Sequence, residues 1–267
     1  SRRWPVGSGL AVAAALLLAL AAGAARGDAE GVRTERWYEI LARERVTVWY
    51  TAPTAIRALR KIGPDEPAKY NYKFKHMTTV GEPIEPEVWK WYYKAVGKEQ
   101  AAIVDTWWQT ETGGFLCSTL PGISPMKPGS AGMAVPGIHP IILDDEGVEL
   151  PRGAGKAGNI CIQNPWPGMF QTIWGDRERF VTNYFARYCK DPKSTDWRDW
   201  PYLTGDAAVE APDGYFRILG RIDDVINVSG HRLGTKELES AARVVEEIAE
   251  SGTAGPGLTD RISTHTL

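Results

Sequence analysis

A chain of 267 residues is long enough for one large or two modest domains, and a charged share of 24% is ordinary for a folded soluble protein. A net charge of −2 with a pI near 6.1 offers no basic footprint for nucleic acid. Cys117, Cys161 and Cys189 are odd in number and contain no C-x-x-C pair, which argues against a disulfide scaffold or a zinc site and fits a reducing compartment.

Residues 1–31 differ from everything after them. Arg2 and Arg3 precede the apolar run 10–22, and Ala22-Gly23-Ala24 offers small residues for cleavage, the shape of a secretory signal too short for a membrane span. The competing and favoured reading is a non-native, alanine-rich segment, which leaves the cytoplasm or an organellar matrix as the compartment and export as the minor alternative. From Glu35 onward helix and strand alternate. Trp37, Ile40 and Leu41 share a helical face, and residues 46–50 are a β-branched and aromatic strand. Pro53 opens a helix to about Lys61, and Gly63-Pro64 stops it. Residues 74–80 read as a strand, 85–96 as a helix rich in tryptophan and tyrosine, and 101–106 as a third strand. Strands spaced by helices of this length predict a parallel sheet.

The pattern changes after Gly114. Short strands within 129–150 and at 159–163, broken by Gly, Pro and acidic turns, predict an antiparallel, barrel-like subdomain. A helix over 176–188 leads into a long polar loop at 189–200, and strands follow at 215–221 and 225–228. Thr235 can cap a closing helix with Leu238, Ala241, Ala242 and Val245 on its apolar face. Residues 251–267 are polar and Gly-rich and read as a disordered tail. The expected division is 32–221 for the end of a large domain and 222–250 for the start of a small one.

Three polar segments stand out. Asp105-Thr-Trp-Trp-Gln-Thr-Glu-Thr-Gly-Gly114 follows an apolar strand, and in open α/β sheets ligands bind beyond the carboxyl ends of strands. The bland alternative is a polar loop with two core tryptophans. Tyr202-Leu-Thr-Gly-Asp206 is a second polar cluster whose Thr-Gly-Asp reads as a turn, and Gly220-Arg-Ile-Asp-Asp-Val-Ile-Asn-Val-Ser-Gly-His-Arg232 reads as a hairpin. Gly153-Ala-Gly-Lys-Ala-Gly158 matches G-x-G-x-x-G but precedes a strand, so it is a loop and not a dinucleotide fingerprint. No G-x-x-x-x-G-K-[ST] occurs, the four histidines lack metal-ligand spacing, and no Ser-His-Asp or Cys-His arrangement can be placed.

Together, from about Arg36 to Ala242, these segments resemble the acyl-adenylate-forming, AMP-binding enzymes, and within them the AMP-forming acetyl-coenzyme A synthetase (acetate–CoA ligase) family. The T-E-T-G-G loop, the T-G-D segment and the G-R-x-D-D…G-H-R hairpin carry the resemblance in this order. It implies an α/β fold: part of a large domain with a parallel sheet and an antiparallel barrel-like subdomain, then the start of a small α+β domain. It also implies the conversion of acetate, ATP and coenzyme A to acetyl-CoA, AMP and diphosphate. A ligase for propionate or another short acid, or a non-catalytic nucleotide-binding remnant, stays open.

By that resemblance Gly81, Glu82 and Pro83 line the adenine, with Val80 also bordering an acyl pocket, while Asp105, Thr106, Trp107 and Gln109 form the facing wall. Thr110 bonds the α-phosphate, Glu111 holds Mg²⁺, a hard ion suited to a carboxylate, and Arg232 reaches the phosphate. Thr110, Glu111 and Arg232 are thus the catalytic candidates. Asp206 accepts both ribose hydroxyls and Arg221 reaches the same sugar. Trp108 closes the acyl pocket at about two carbons, where one methylene decides. Asp223 is the hinge, and Ser229 and Gly230 meet coenzyme A. On the residues alone, Val80–Pro83 could be a plain turn, Asp206 could cap a turn, and Arg221 could pair with Asp223 or Asp224. The family's phosphate loop and adenylation lysine have no counterpart here, so these residues alone are expected to bind AMP weakly and not to make acetyl-CoA.

Overall fold

The computed structural model describes residues 34–228, 231–234, 248–253 and 262–266. The chain divides into two compact units, residues 1–105 and 106–267.

In the first unit, α1 (Thr34–Arg43) buries Tyr38 and Leu41 and half-buries Trp37 and Ile40. Strand β1 (Val48–Thr51) alternates exposed and buried side chains, as a strand with one covered face must. Pro53 stands at the first turn of α2 (Pro53–Ile62), whose buried Ala55, Ile56 and Leu59 keep helical spacing. Strand β2 (His76–Thr79) runs parallel to β1. Helix α3 (Pro86–Trp91) continues into a wider helical turn over Tyr92–Val96, so the tryptophan-rich helix is shorter and less regular than its pattern predicts. Strand β3 (Ala102–Trp107) is parallel to β2, pairing through Asp105. Helix α2 lies in the connection from β1 to β2 and α3 in the connection from β2 to β3, the crossovers that parallel strands require, while α1 precedes the set. Tyr38, Ile56, Met77, Tyr92 and Val96 are among the fully buried side chains, and Trp49 meets Tyr92 edge to face with ring centroids 5.6 Å apart.

Strand β3 carries the chain into the second unit, where Thr106 and Trp107 pair antiparallel with β4 (Cys117–Ser118), which pairs in turn with β5 (Met133–Ala134). An antiparallel sheet follows in the order β6 (Pro140–Leu143), β7 (Ala157–Ile162), β8 (Tyr202–Glu210) and β9 (Phe216–Arg221). Its largest buried cluster includes Trp107, Leu116, Ile160, Trp166, Phe180, Tyr202 and Phe216, with smaller clusters around Ile141, Leu143, Cys161 and Tyr188 and around Ala207 and Leu219. Helix α4 (Arg177–Tyr184), capped by the Asp176 carboxylate on the Arg179 N–H at 2.9 Å, lays Phe180 into that cluster. The polar loop after Tyr188 is tied to itself, with the Lys190 N–H on the Asp199 carbonyl and the Trp200 indole on the Ser194 carbonyl, both at 2.9 Å. The loop containing Gly153 and Gly155 precedes β7 with no helix after it.

Two expectations are corrected. Residues 204–206 are not a turn but lie within the first half of β8. They are irregular because Leu203 pairs with Cys161 while Ala207 pairs with Asn159, so β8 holds two more residues than β7 over this interval. Ile248–Thr253 and Ile262–Thr266 form an antiparallel pair, β12 and β13, after the hairpin β10 (Val225–Val228) and β11 (His231–Gly234). Polar composition hides that last pair because local patterning carries no trace of a partner strand. Residues 1–31 and the closing helix expected after Thr235 lie outside the described residues. No helix among the described residues is long and apolar enough to cross a membrane.

Candidate functional site

The two tryptophans at the end of β3 part company. Trp107 is 8% exposed and belongs to the core, whereas Trp108 is 36% exposed and meets Phe115 edge to face at 6.1 Å. Successive residues at a strand end face opposite ways, so one indole must be covered and the other presented. The chain then makes a single tight turn over Thr110–Thr112, closed by Gly113 at φ 66°. Only glycine serves there, since a Cβ would stand 2.2 Å from the Gly168 carbonyl oxygen. The buried Thr112 hydroxyl accepts from the Gln109 N–H at 3.0 Å, and the Trp166 indole donates to the Thr112 carbonyl at 2.8 Å. With Thr112 pinned, Thr110 is left exposed and Glu111 half-buried.

The irregular part of β8 supplies the second element. Thr204 donates to the Ile160 carbonyl at 2.7 Å and accepts the Asp206 N–H at 3.1 Å, which turns Asp206 inward to 8% exposure. Three donors reach its carboxylate: Trp107 Nε1 at 2.9 Å and Gln109 Nε2 at 3.4 Å on Oδ2, and Arg221 Nη1 at 3.2 Å on Oδ1. Burial raises the pKa of Asp206 above the usual aspartate value, and these donors offset only part of the shift. Gln109 is itself held, donating to the Thr204 carbonyl at 2.6 Å and accepting from the Tyr202 hydroxyl at 2.9 Å. Arg221 is therefore paired with Asp206 and, among the described residues, not with Asp223, while the side chain of Asp224 lies outside the description.

Glu111 reaches this region through Tyr184, whose hydroxyl donates to Glu111 Oε1 at 2.9 Å. Burial raises the phenol's pKa, and the Glu111 hydrogen bond and charge add to it. Tyr184 lies parallel to Tyr202 with centroids 5.7 Å apart. A cavity of about 320 Å³ opens here, lined by Tyr184, Thr204, Gly205, Arg221, Ile222 and Asp223 among others. Trp107, Gln109, Asp206 and Arg221 are thus brought together, with Glu111 and the hinge candidate Asp223 linked to the same region.

The first unit holds the remaining candidates. Gly81 follows β2 at φ 93° with open space where a Cβ would stand. Glu82 turns back onto α2, accepting from the Thr54 N–H at 2.6 Å, from the Thr54 hydroxyl, and from Arg57 Nη2 at 2.8 Å. Arg57 also reaches Glu85 at 3.1 Å. Burial pushes the Glu82 carboxyl up, but the Thr54 and Arg57 contacts win and hold it below the usual glutamate value. Val80 and Pro83 flank this anchor, both half-buried. Asp105 is buried and accepts from the Thr79 hydroxyl at 2.5 Å. Thr106, the first residue of the second unit, is buried as well.

Ser229 and Gly230 lie outside the described residues. Arg232 sits in β11 opposite Asn227, and its side chain lies outside the description. Sequence reasoning missed Tyr184, Arg57 and the supporting roles of Tyr202 and Thr204. Tyr202 and Thr204 were inside the segment singled out for Asp206, but Tyr184 follows Phe180 at core spacing, and nothing local to Arg57 points to Glu82. Burial pushes the Cys161 thiol up to about 12, so it is no thiolate nucleophile. Among the described residues no group of three or more His, Cys, Asp or Glu could hold a metal.

Comparison with known proteins bears on this arrangement. A family profile described as "AMP-binding enzyme" matches residues 4–174, which takes in most of residues 1–31. The acetyl-coenzyme A synthetase of Wolinella succinogenes is 50% identical over 219 residues, 82% of this chain and 32% of that protein. Those of Helicobacter pylori strain G27 and Leptospira biflexa are 44% and 46% identical over 82% of this chain. The chain spans about a third of the length of the curated relatives it matches. A crystal structure of an anthranilate CoA ligase in complex with anthranoyl-AMP aligns with a TM-score of 0.69 at 23% identity, covering 86% of this chain and 40% of that one. That likeness is one of fold.

Proposed function

The chain belongs to the AMP-binding enzyme family, and on that premise we propose that it carries nucleotide and acyl subsites of an AMP-forming acetate–CoA ligase. In the reaction acetate attacks the α-phosphorus of Mg·ATP to give acetyl-AMP and diphosphate, and the coenzyme A thiol then displaces AMP. One observation carries this reading. Asp206 is a buried carboxylate, gripped by Trp107, Gln109 and Arg221, beside an open cavity. A carboxylate so held is preorganised to accept hydroxyl protons from a sugar diol at little cost in reorganisation.

The other roles follow from placement. Arg221 is half-exposed, so its free edge can serve the same sugar or a phosphate. Thr110 presents a hydroxyl for the α-phosphate. Gly81, Glu82 and Pro83 would offer backbone to the adenine, because the Glu82 side chain is spent on α2. Asp105 and Thr106 would supply the facing wall, with Val80 and Trp108 bounding the acyl group, Arg232 on the phosphate, and Ser229 and Gly230 on coenzyme A after movement at Asp223.

Glu111 fits Mg²⁺ in one mode only. Among the described residues it stands outside any acidic cluster, its Oε1 tied to Tyr184, which matches the habit of Mg²⁺ of taking one or two protein carboxylates and filling its shell with phosphate oxygens and water. The ion would arrive with ATP and neutralise phosphate charge.

Titration calorimetry tests the reading. The protein should bind AMP, and among non-hydrolysable acyl-adenylate analogues it should prefer acetyl and reject butyryl. Absence of AMP binding, or indifference to acyl length, would overturn it.

A further inference from the structure

We infer that Trp107 is a positioning residue for the ribose: its indole N–H pins Oδ2 of Asp206 so that the Oδ1 edge is presented to the sugar diol. The inference rests on the reading of Asp206 as the ribose acceptor and adds the group that sets its orientation.

The three donors on Asp206 are unequal. Arg221 is on a side chain 53% exposed, and its guanidinium can swing. Gln109 is at 3.4 Å, the edge of hydrogen bonding, and spends the same amide nitrogen at 2.6 Å on the Thr204 carbonyl. The Trp107 contact is 2.9 Å, comes from a residue 8% exposed, and is anchored by pairing of Trp107 with Cys117 on β4. An indole has one donor and no acceptor, so this contact cannot be satisfied in reverse. Buried Trp normally finds a partner for its N–H. Here the partner is a carboxylate where a backbone carbonyl would serve the fold equally well. Both Trp107 and Gln109 fall on Oδ2, while among the described residues Oδ1 meets Arg221 alone, the one of the three donors that lines the cavity. The carboxylate is thus held by one oxygen and offered by the other.

The test compares Trp107→Phe with Trp166→Phe in the full chain. The second removes another buried indole donor of the same core, one that serves the Thr112 carbonyl and not Asp206. Placing benzothienylalanine at position 107 keeps the ring shape without the N–H, in case the Phe variant is poorly folded. Two readings are taken: the titration of the Asp206 carboxyl by ¹³C NMR, and AMP affinity by calorimetry across pH. Loss of the Trp107 N–H should raise the carboxyl midpoint and weaken AMP binding about tenfold or more at neutral pH, the scale of a hydrogen bond to a charged group. Trp166→Phe should leave the midpoint in place. A wild-type protein that binds AMP alongside 107 variants with unchanged midpoint and affinity would overturn this inference alone. A wild-type protein that does not bind AMP would remove the ribose reading and the inference with it.

Discussion

The guanidinium of Arg221 lies against the bare face of Gly205: a Cβ on Gly205 would stand 2.3 Å from Nη2. The same guanidinium donates to the Thr204 carbonyl at 3.0 Å and to Asp206 at 3.2 Å. Gly205, at φ 75°, is where β8 carries its extra residues. The strand irregularity, the left-handed backbone and the ion pair are therefore one device.

Gly205→Ala should break that device. The new methyl displaces Arg221, and a non-glycine residue in the left-handed region costs about 1–2 kcal/mol. Chemical denaturation should show a loss of that order, and AMP affinity should fall with it. A variant as stable as wild type with unchanged affinity would show that Arg221 has another equally good seat.

Asp206→Ala should weaken AMP binding by about 1.5–3 kcal/mol, since the sugar loses its charged acceptor. Preference among acyl-adenylates of different length should stay as it was, because the acyl group is elsewhere. Calorimetry giving equal AMP affinity for both proteins would count against the ribose role.

The raised Asp206 pKa sets a pH signature. Only the ionised carboxylate accepts two hydroxyl protons, so AMP affinity should decline as pH falls, starting above the ordinary aspartate range. In the unliganded protein the sign runs the other way. A raised folded pKa gives a stabilising contribution that is complete below the unfolded value and lost as pH rises through the folded one. Nucleotide should therefore protect against unfolding more strongly near neutral pH than in acid, which thermal shifts with and without AMP would measure.

Trp108→Gly should admit butyryl and longer acyl-adenylates and weaken the acetyl preference. Each methylene accommodated is worth about 1 kcal/mol or more. An unchanged length profile would take this indole, now seen against Phe115, out of the acyl pocket.

Arg57→Ala should loosen the segment around Glu82 and Glu85, whose side chains are 20% and 17% exposed and would lose their cation. At this partial burial the expected loss is about 1–3 kcal/mol, below the full cost of a buried broken pair. Lysine should restore only part, because one ammonium cannot fork between two carboxylates. The depressed Glu82 pKa gives stability present above its unfolded value and lost as pH falls through the folded one, so the deficit of Arg57→Ala should narrow in acid. Urea midpoints at several pH values would decide.

Local rules carried much of the first unit. Pro53 and Gly63 mark the ends of α2, and the strand before Asp105 ends where the polar stretch begins. Such features depend on neighbours within a turn or a strand, which is what periodicity records. The helix expected through Val96 runs differently because its second half widens. Within the strand Tyr202–Glu210, Thr204-Gly-Asp206 reads locally as a turn because these residues are turn formers, and only pairing with β7 and β9 overrides them.

By itself, the sequence determined the alternation of helix and strand and the parallel character of the first unit, and which short segments are rich in groups able to meet a nucleotide. Tertiary structure decided which of those groups act together. Trp107 and Asp206 are 99 residues apart, Tyr184 and Glu111 are 73, and Arg57 and Glu82 are 25. Each contact depends on strand register and on the face a side chain takes at an element's end. A pattern of apolar and polar residues records only whether a position is covered, and it is register that selects the partner. For the same reason the sequence could show two adjacent tryptophans, but only the end of β3 could assign one to hold a carboxylate and the other to face outward.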